Sequence, residues 1–268
     1  MKNHTVTTTS DPQTRVRSPG EFCWINIITP MPAEAMDFFA ELLDWTFFEM
    51  PGVGHGIKVA GRDIGGIFDQ HGPNTPPGIP PHIGVMVKVE SADATAARVT
   101  ELGGKAVPPF DVFDAGRMAV CFDPNGAAFD LWETKAMPGT DVAPSSPGAP
   151  CWFETLTTDT ARATEFYGRL FGWTTTAKPS AEPGAAYTEF ALGGRPVAGM
   201  MRILPHMGEF PPHWAVYFTA SDVDDVARRT VELGGTVCVP PRDIPGVGRF
   251  CGPISPHGVA FHVLAVAG

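Results

Sequence analysis

Cys151-Trp152-Phe153-Glu154-Thr155-Leu156, followed after a polar break by Glu165-Phe166-Tyr167-Gly168-Arg169-Leu170-Phe171-Gly172-Trp173, reads as a β-strand that runs into a helix. The first piece is rich in β-favouring residues. In the second, Ala163, Phe166, Tyr167 and Leu170 recur at i, i+3, i+4 and i+7, the apolar stripe of an amphipathic helix, with Asp159 available as its N-cap. The same phrase occurs earlier. Cys23-Trp24 opens a strand over 23–29, Pro30 and Pro32 end it, and Ala35, Phe38, Phe39 and Leu42 repeat the helical stripe before Leu43-Asp44-Trp45. The offset is 128 at both ends (151 − 23 and 173 − 45).

Working outward, the echo continues along the chain. Gly65-Gly66-Ile67 is answered by Ala198-Gly199-Met200, and Pro81-His82 by Pro212-His213. Glu101-Leu102-Gly103-Gly104 is answered by Glu232-Leu233-Gly234-Gly235, and Val107-Pro108-Pro109 by Val239-Pro240-Pro241. Gly116-Arg117 returns as Gly248-Arg249, and Asp123-Pro124-Asn125-Gly126 as Ser255-Pro256-His257-Gly258. The offset drifts only to 133 (198 − 65), so insertions are confined to loops. A period this long means two homologous domains, not a solenoid.

Each copy divides again. Short extended pieces follow the first helix, at 45–50, 57–59 and 64–68 in copy one; then a proline-rich bridge leads to a strand at 83–89 and a second helix. Gly103 and Gly234 stop those second helices, since glycine accepts the left-handed conformation past a helix end, and Ser221 with Asp224 predicts the start of the second one in copy two. The predicted class is α+β: four β-α-β-β-β modules forming two tandem domains, at 19–135 and 150–268. Residues 136–149, rich in Pro, Gly, Ser and Ala, read as a linker, and residues 1–18, polar and rich in Thr and Ser, as a disordered tail.

The formal charge of -10 argues against nucleic acid or an anionic membrane as partner, because both select Lys/Arg surfaces. No apolar run approaches the roughly 18 residues of a membrane span, and no signal-peptide pattern is present. Cys23, Cys121, Cys151, Cys238 and Cys251 are widely spaced without a Cys-x-x-Cys, which predicts free thiols and a cytoplasmic protein. Gly52-Val53-Gly54-His55-Gly56 lacks the Lys of a phosphate loop and reads as a hairpin turn. No Gly-x-Ser-x-Gly or Cys/His nucleophile pairing appears, so hydrolase and nucleotide-binding readings fall away.

Over nearly its whole length the chain resembles the vicinal-oxygen-chelate superfamily, the glyoxalase, bleomycin-resistance and extradiol-dioxygenase group. The strand-helix openings Trp24…Phe38-Phe39 and Trp152…Phe166-Tyr167, the helices ending in Leu-Gly-Gly, and the turns before each last strand carry the likeness. The resemblance implies that paired modules curl into a cleft in which enzymatic members hold a divalent metal through residues on the first, fifth and eighth strands. Here the family's first-strand position falls on Trp24 and Trp152 and its fifth-strand position on Gly84 and Ala215, none of which binds metal. The nearest candidates on the same faces are Glu154, His213 and His262 in the second domain, and the weaker set Asn26, His82 and Asp130 in the first. Two histidines and a carboxylate would suit Fe(II), Zn(II) or Mn(II), and their donor atoms would have to lie within roughly 5 Å of one another.

For polar side chains such as His262 and Asp130, flanked by apolar residues, burial is costly without a purpose. Glu154 and Tyr217 are the candidate proton carriers. Trp152, Arg117 and Arg249 are candidate substrate contacts, although ion pairing would equally account for the arginines. The expected function is a metal-dependent enzyme acting on a small oxygenated organic molecule. Its rival is a binding protein that sequesters an aromatic or antibiotic-like ligand between tryptophan-lined walls, and in either case one domain could serve as scaffold. A monomer or a homodimer would fit.

Overall fold

The structure, a computed structural model, describes residues 15–72, 75, 78–178, 180 and 186–267. The first module is β1 (Phe22–Thr29), α1 (Pro32–Leu43), β2 (Thr46–Met50), β3 (Gly54–Val59) and β4 (Arg62–Asp69). The second is β5 (His82–Val89), α2 (Ala92–Glu101), β6 (Lys105–Ala106), β7 (Phe110–Val112), β8 (Gly116–Phe122) and β9 (Ala128–Thr134). The third is β10 (Pro150–Thr157), α3 (Thr160–Phe171), β11 (Thr174–Lys178), β12 (Tyr187–Leu192) and β13 (Arg195–Arg202). The fourth is β14 (His213–Thr219), α4 (Val223–Glu232), β15 (Thr236–Ile244), β16 (Gly248–Ile254) and β17 (His262–Val266). All four β-α-β-β-β modules are present in two tandem α+β domains.

Each domain builds one sheet. The orders β2-β3-β4-β1-β5-β9-β8-β6, with β7 beside β8, and β11-β12-β13-β10-β14-β17-β16-β15 are the same path twice. Two modules meet at the antiparallel pairs β1/β5 and β10/β14, and each central strand is flanked on its other side by a parallel partner. Side chains alternate across such strands, so one face of each sheet packs into the interior and the other lines a cleft.

The interior faces share one core. Phe22 stacks on Phe153 at 4.1 Å, and Phe39 and Trp45 of the first domain meet Phe261 and Phe218 of the second. Phe129 meets Phe166 and Tyr167 in return. Buried polar atoms at this seam are paired: Trp214 Nε1 donates to the Tyr167 hydroxyl at 3.0 Å, which donates to Asp123 at 3.1 Å. Helix ends follow local chemistry. Asp159 and Ser91 cap α3 and α2, and Gly103 and Gly234 take φ of 85° and 83°. The cap of α4 is Asp222, not Ser221, because the Asp222 carboxylate reaches the amide of Asp225 at 3.0 Å.

The expected linker and the last residues of the expected tail make defined contacts. Residues 136–149 are a packed strap: Val142 and Ala149 are buried, Thr140 N donates to Cys23 O, and Trp45 Nε1 donates to Gly148 O at 2.9 Å. Composition identified the segment, but its small side chains serve close approach to the core. Of the expected disordered tail, residues 1–14 lie outside the described residues. Residues 15–18 are held by an Arg15–Glu21 ion pair of 2.5 Å and by Arg17 donating to Val142 O at 2.9 Å. All five cysteines are free. Among the described residues, no helix is long and apolar enough to cross a membrane.

Candidate functional site

Trp152, Glu154 and Leu156 share the cleft face of β10 by alternation, as do His213, Ala215 and Tyr217 on β14. The ladder sets Leu156 level with His213, Glu154 with Ala215, and Trp152 with Tyr217; Tyr217 is level in turn with His262 on β17. On the other side, Glu154 pairs with Gly199 on β13, and Gly199 with Glu189 on β12.

The missing side chain at Gly199 shapes the site. A Cβ there would overlap the Tyr187 hydroxyl and stand 3.0 Å from Trp152 Nε1. Through that gap Trp152 Nε1 donates to the Tyr187 hydroxyl at 2.8 Å, which sets that hydroxyl beside Glu154. From the opposite side the Tyr217 hydroxyl donates to Glu154 Oε1 at 3.2 Å. Glu154 is buried, only 6% exposed. Burial raises its pKa above the ordinary carboxylate value, opposed by the two tyrosine hydrogen bonds and by the positive charge of Arg242. Burial likewise raises both tyrosines, and the neighbouring carboxylate adds to that, so both stay protonated and act as donors.

His262 lies against this group, its ring stacked on Tyr217 at 4.5 Å and 19°. Its Nδ1 is buried without a hydrogen-bond partner among the described residues, an arrangement that costs free energy unless something else bonds it. Burial, then the positive charges of His213 and Arg242, lower its pKa to about 4, so the imidazole is neutral at neutral pH. The Arg242 guanidinium lies 4.9 Å from the Phe250 ring centroid, which places it at the rim of the cleft.

The structure therefore brings Glu154, Tyr217, Trp152 and His262 together. It does not gather Glu154, His213 and His262 into a metal site: among the described residues, no group of three or more His, Cys, Asp or Glu is arranged to hold a metal. The ladder explains why. The strand position level with Glu154 is Ala215, while His213 lies two residues to one side and the partner of His262 two residues to the other. The two histidines thus start from levels separated by roughly 13 Å along the strand. His213 Nδ1 is engaged by Pro211 O at 2.9 Å and its ring packs on Phe210, while Tyr217 bonds the Glu154 carboxylate and the Tyr187 hydroxyl lies beside it. As folded, the donors do not fit a three-ligand metal.

The first domain repeats the stagger. Asn26 is level with Gly84, His82 with Ile28, and Asp130 with Met86. His82 Nδ1 is held by Pro80 O at 2.9 Å, so Asn26, His82 and Asp130 are also not assembled around one point. Asp130 instead lies beside Asn26, and burial, opposed by Asn26, pushes its carboxyl up to about 7.

The expected substrate arginines are also corrected. Arg117 binds Asp93 at the start of α2 and Asp111 on β7 (2.7 and 3.3 Å), and Arg249 binds Asp224 and Asp243 in the same way (2.7 and 3.0 Å). Both clamp a helix start to a strand edge and are engaged away from the clefts. Sequence reasoning missed Tyr187 and Arg242. A signal existed for Tyr187, one of only three tyrosines in the chain, whereas β-bulges on β15 hid Arg242.

Comparison with known proteins agrees with this architecture. The family model described as Glyoxalase/Bleomycin resistance protein/Dioxygenase superfamily matches residues 22–131 and again 152–263. The anthracycline biosynthesis protein DnrV of Streptomyces peucetius is 34% identical over 262 residues, covering 92% of this chain and 94% of that one. A Mycobacterium tuberculosis protein named as a glyoxylase, CFP32, is 33% identical over 250 residues, covering 91% and 94%. Among solved structures, the Mn(II)-bound glyoxalase from Novosphingobium aromaticivorans superposes with a TM-score of 0.63 at 15% identity, covering 92% of this chain and 82% of that one. The 2,3-dioxygenase LapB from Pseudomonas sp. KL28 does so with 0.64 at 12%, covering 92% of each. At these identities the two structures speak for the fold.

Proposed function

The chain belongs to the Glyoxalase/Bleomycin resistance protein/Dioxygenase superfamily, and we propose that it is an enzyme that moves a proton on a small oxygenated organic substrate in the cleft of its second domain. The observation that carries this reading is the Glu154 carboxylate, buried between two tyrosine hydroxyls beside a neutral histidine whose buried Nδ1 lacks a partner among the described residues. A carboxylate with a raised pKa is a stronger base than one in water, and such tuning is how acid–base catalysis is run near neutral pH.

Glu154 takes a proton from a carbon next to a carbonyl. Negative charge then develops on the carbonyl oxygen, to be met by the Arg242 guanidinium and by His262 in the tautomer that carries its proton on Nδ1. Tyr217 and Tyr187 hold the carboxyl in place and tune its affinity for the proton, which Glu154 returns to a neighbouring atom. The flanking Trp152 and Phe250 suit a substrate with a flat ring, a class consistent with a relative named for anthracycline biosynthesis. No step is routed through a metal, because the donors as folded do not fit one. The free cysteines suit a reducing compartment, and the cytoplasm is the proposed location.

The test is solvent-deuterium wash-in. The full chain is incubated in D2O with a panel of α-hydroxyketones and hydroxyquinones, and exchange next to the carbonyl is followed by NMR, with and without EDTA or added Mn(II). Exchange by the wild type, lost in Glu154→Gln and indifferent to EDTA, is the expected result. No exchange across the panel, or exchange that survives Glu154→Gln, overturns the reading.

A further inference from the structure

The cleft of the first domain has its own construction, and the second-domain reading leaves it without a role. Its floor is aromatic because Gly56 and Gly66 carry no side chain: Phe48 lies across the first and Phe68 across the second, where a Cβ on Gly66 would meet the Phe68 ring at 2.5 Å. Phe110 on β7, level with Met118 toward the opposite edge of the sheet, is 44% exposed, a high value for an aromatic side chain. At the bottom Asp130 lies beside Asn26, and its Oδ2 faces the bare Cα of Gly84, where a Cβ would stand at a contact distance of 3.6 Å.

Several cationic side chains on the surrounding strands are engaged elsewhere. Lys58 pairs with Asp63 and lies over the Phe48 ring at 4.6 Å; Lys88 donates to Pro138 O at 3.1 Å; Arg117 is held by Asp93 and Asp111. Of the other titratable groups, His82 is held by Pro80 O and its pKa is lowered by burial, Glu133 accepts from the amide of Ala92, and the Cys121 thiol is pushed up to about 12. Burial raises the pKa of Asp130 and Asn26 opposes it, and no Lys or Arg among the described residues forms an ion pair with it.

We infer that the first-domain cleft is a second ligand site, built for an organic cation on a flat apolar body, in which Asp130 pairs with the ammonium while Phe48, Phe68 and Phe110 enclose the body. A carboxylate at the base of an aromatic cup with no basic partner is complementary to such a cation through ion pairing and cation–π attraction. The chain's charge of -10 draws cations toward it. The second domain has the opposite bias: the position level with Phe250, equivalent to Phe110 level with Met118, is Arg242.

The experiment titrates the full chain with 2-naphthylmethylammonium, its neutral isostere 2-naphthylmethanol and the anion 2-naphthoate, by calorimetry at pH 6 and pH 8. At pH 8 the ammonium should bind at least about tenfold tighter than the alcohol, the contribution of one desolvated charge pair. Its affinity should fall about tenfold at pH 6, because a carboxyl titrating at about 7 must lose its proton before it can pair. Asp130→Asn should abolish both the preference and its pH dependence, and Glu154→Gln should change neither. Phe110→Ala, on an exposed rim where it cannot unfold the domain, should weaken the ammonium at least about threefold through lost aromatic contact. The inference is overturned if the alcohol binds as tightly as the ammonium, if the preference survives Asp130→Asn, if Glu154→Gln removes it, or if Phe110→Ala has no effect.

Discussion

Position by position, the two clefts stand on the same ladder and carry different chemistry. Asn26 answers Glu154, Met86 answers Tyr217, Asp130 answers His262, and Phe110 answers Arg242. What the copies share is the scaffold: a tryptophan two residues before the polar residue of the first strand, and a glycine beside it that lets an aromatic ring lie across the sheet. Duplication has therefore kept the residues that make a cleft and exchanged those that decide what enters it. One cleft places a buried acid among aromatic rings. The other supports its acid with two hydroxyl donors, an imidazole and a guanidinium.

The largest expected effect comes from removing the acid from each side. Glu154→Gln keeps the shape and both tyrosine contacts but cannot accept a proton, so turnover should fall by about 10²–10⁴-fold with the fold intact by circular dichroism. Asp130→Asn should leave turnover within about twofold, the null expectation for a residue outside the reacting group. Equal losses from the two substitutions would show that the clefts do not divide the work as described.

The glycines give a second, smaller contrast. Gly199→Ala places a methyl inside the Tyr187 hydroxyl, and Gly66→Ala places one against the Phe68 ring. Overpacking of this kind costs about 1–3 kcal/mol in either domain, measurable by urea denaturation. Only Gly199→Ala breaks the path from Trp152 through Tyr187 to Glu154, so it alone should also lower turnover, by about tenfold for one displaced hydrogen bond. A Gly66→Ala protein as impaired in turnover as Gly199→Ala would assign the effect to general loosening.

The pH dependence of stability separates the clefts again. Asp130 titrates at about 7 when folded, against an ordinary value of 3.8. The folded state holds this proton more tightly than the unfolded state, so the group's contribution to stability is present below pH 4 and is lost as pH rises toward 7. Asp130→Asn should therefore gain on the order of 1–3 kcal/mol over wild type at pH 8, and the difference should vanish near pH 4. His262 runs the other way. Its folded pKa is about 4 against 6.5 unfolded, so it withdraws stability as pH falls through that window. A wild type whose stability does not decline from pH 5 to pH 8 relative to Asp130→Asn would contradict the buried-acid picture of the first cleft.

The fold was legible because two periodicities and two sets of turn residues recur at a nearly constant offset, and both copies obey the same packing requirement. Glu154, Tyr217 and Trp152 were legible as cleft residues for a related reason: alternation by two holds along β10 and β14 over the stretch concerned. The trio Glu154, His213 and His262 does not converge because Ala215 holds the level of Glu154, and moving a ligand two residues along a strand moves it by roughly 7 Å, too far for one ion. Arg242 was hidden because the register of β15 shifts between Val237 and Val239 and again before Arg242. Counting by twos across a bulge assigns the wrong face. Tyr187 depends on the empty space at Gly199, which a one-dimensional pattern does not display. Arg117 and Arg249 recur in the two copies, as a substrate contact would, yet their partners stand at helix starts 24 and 25 residues away.

Those arginines supply the smallest expected effect and a control on the rest. Arg249→Gln removes two carboxylate contacts in the second domain, and Arg117→Gln does the same in the first. The carboxylates stand in solvent, where each pKa is lowered chiefly by its hydrogen bond to the arginine, and exposed pairs of this kind contribute little because water and salt screen them. Each substitution should therefore leave the unfolding midpoint nearly unchanged, and whatever shift remains should shrink further at high salt. Turnover should stay within about twofold for both, since neither guanidinium faces a cleft. If Arg249→Gln alone cut turnover by tenfold or more while stability held, the guanidinium would have to leave Asp224 and Asp243 to reach substrate, and the anion-binding role assigned to Arg242 would have to be shared with it.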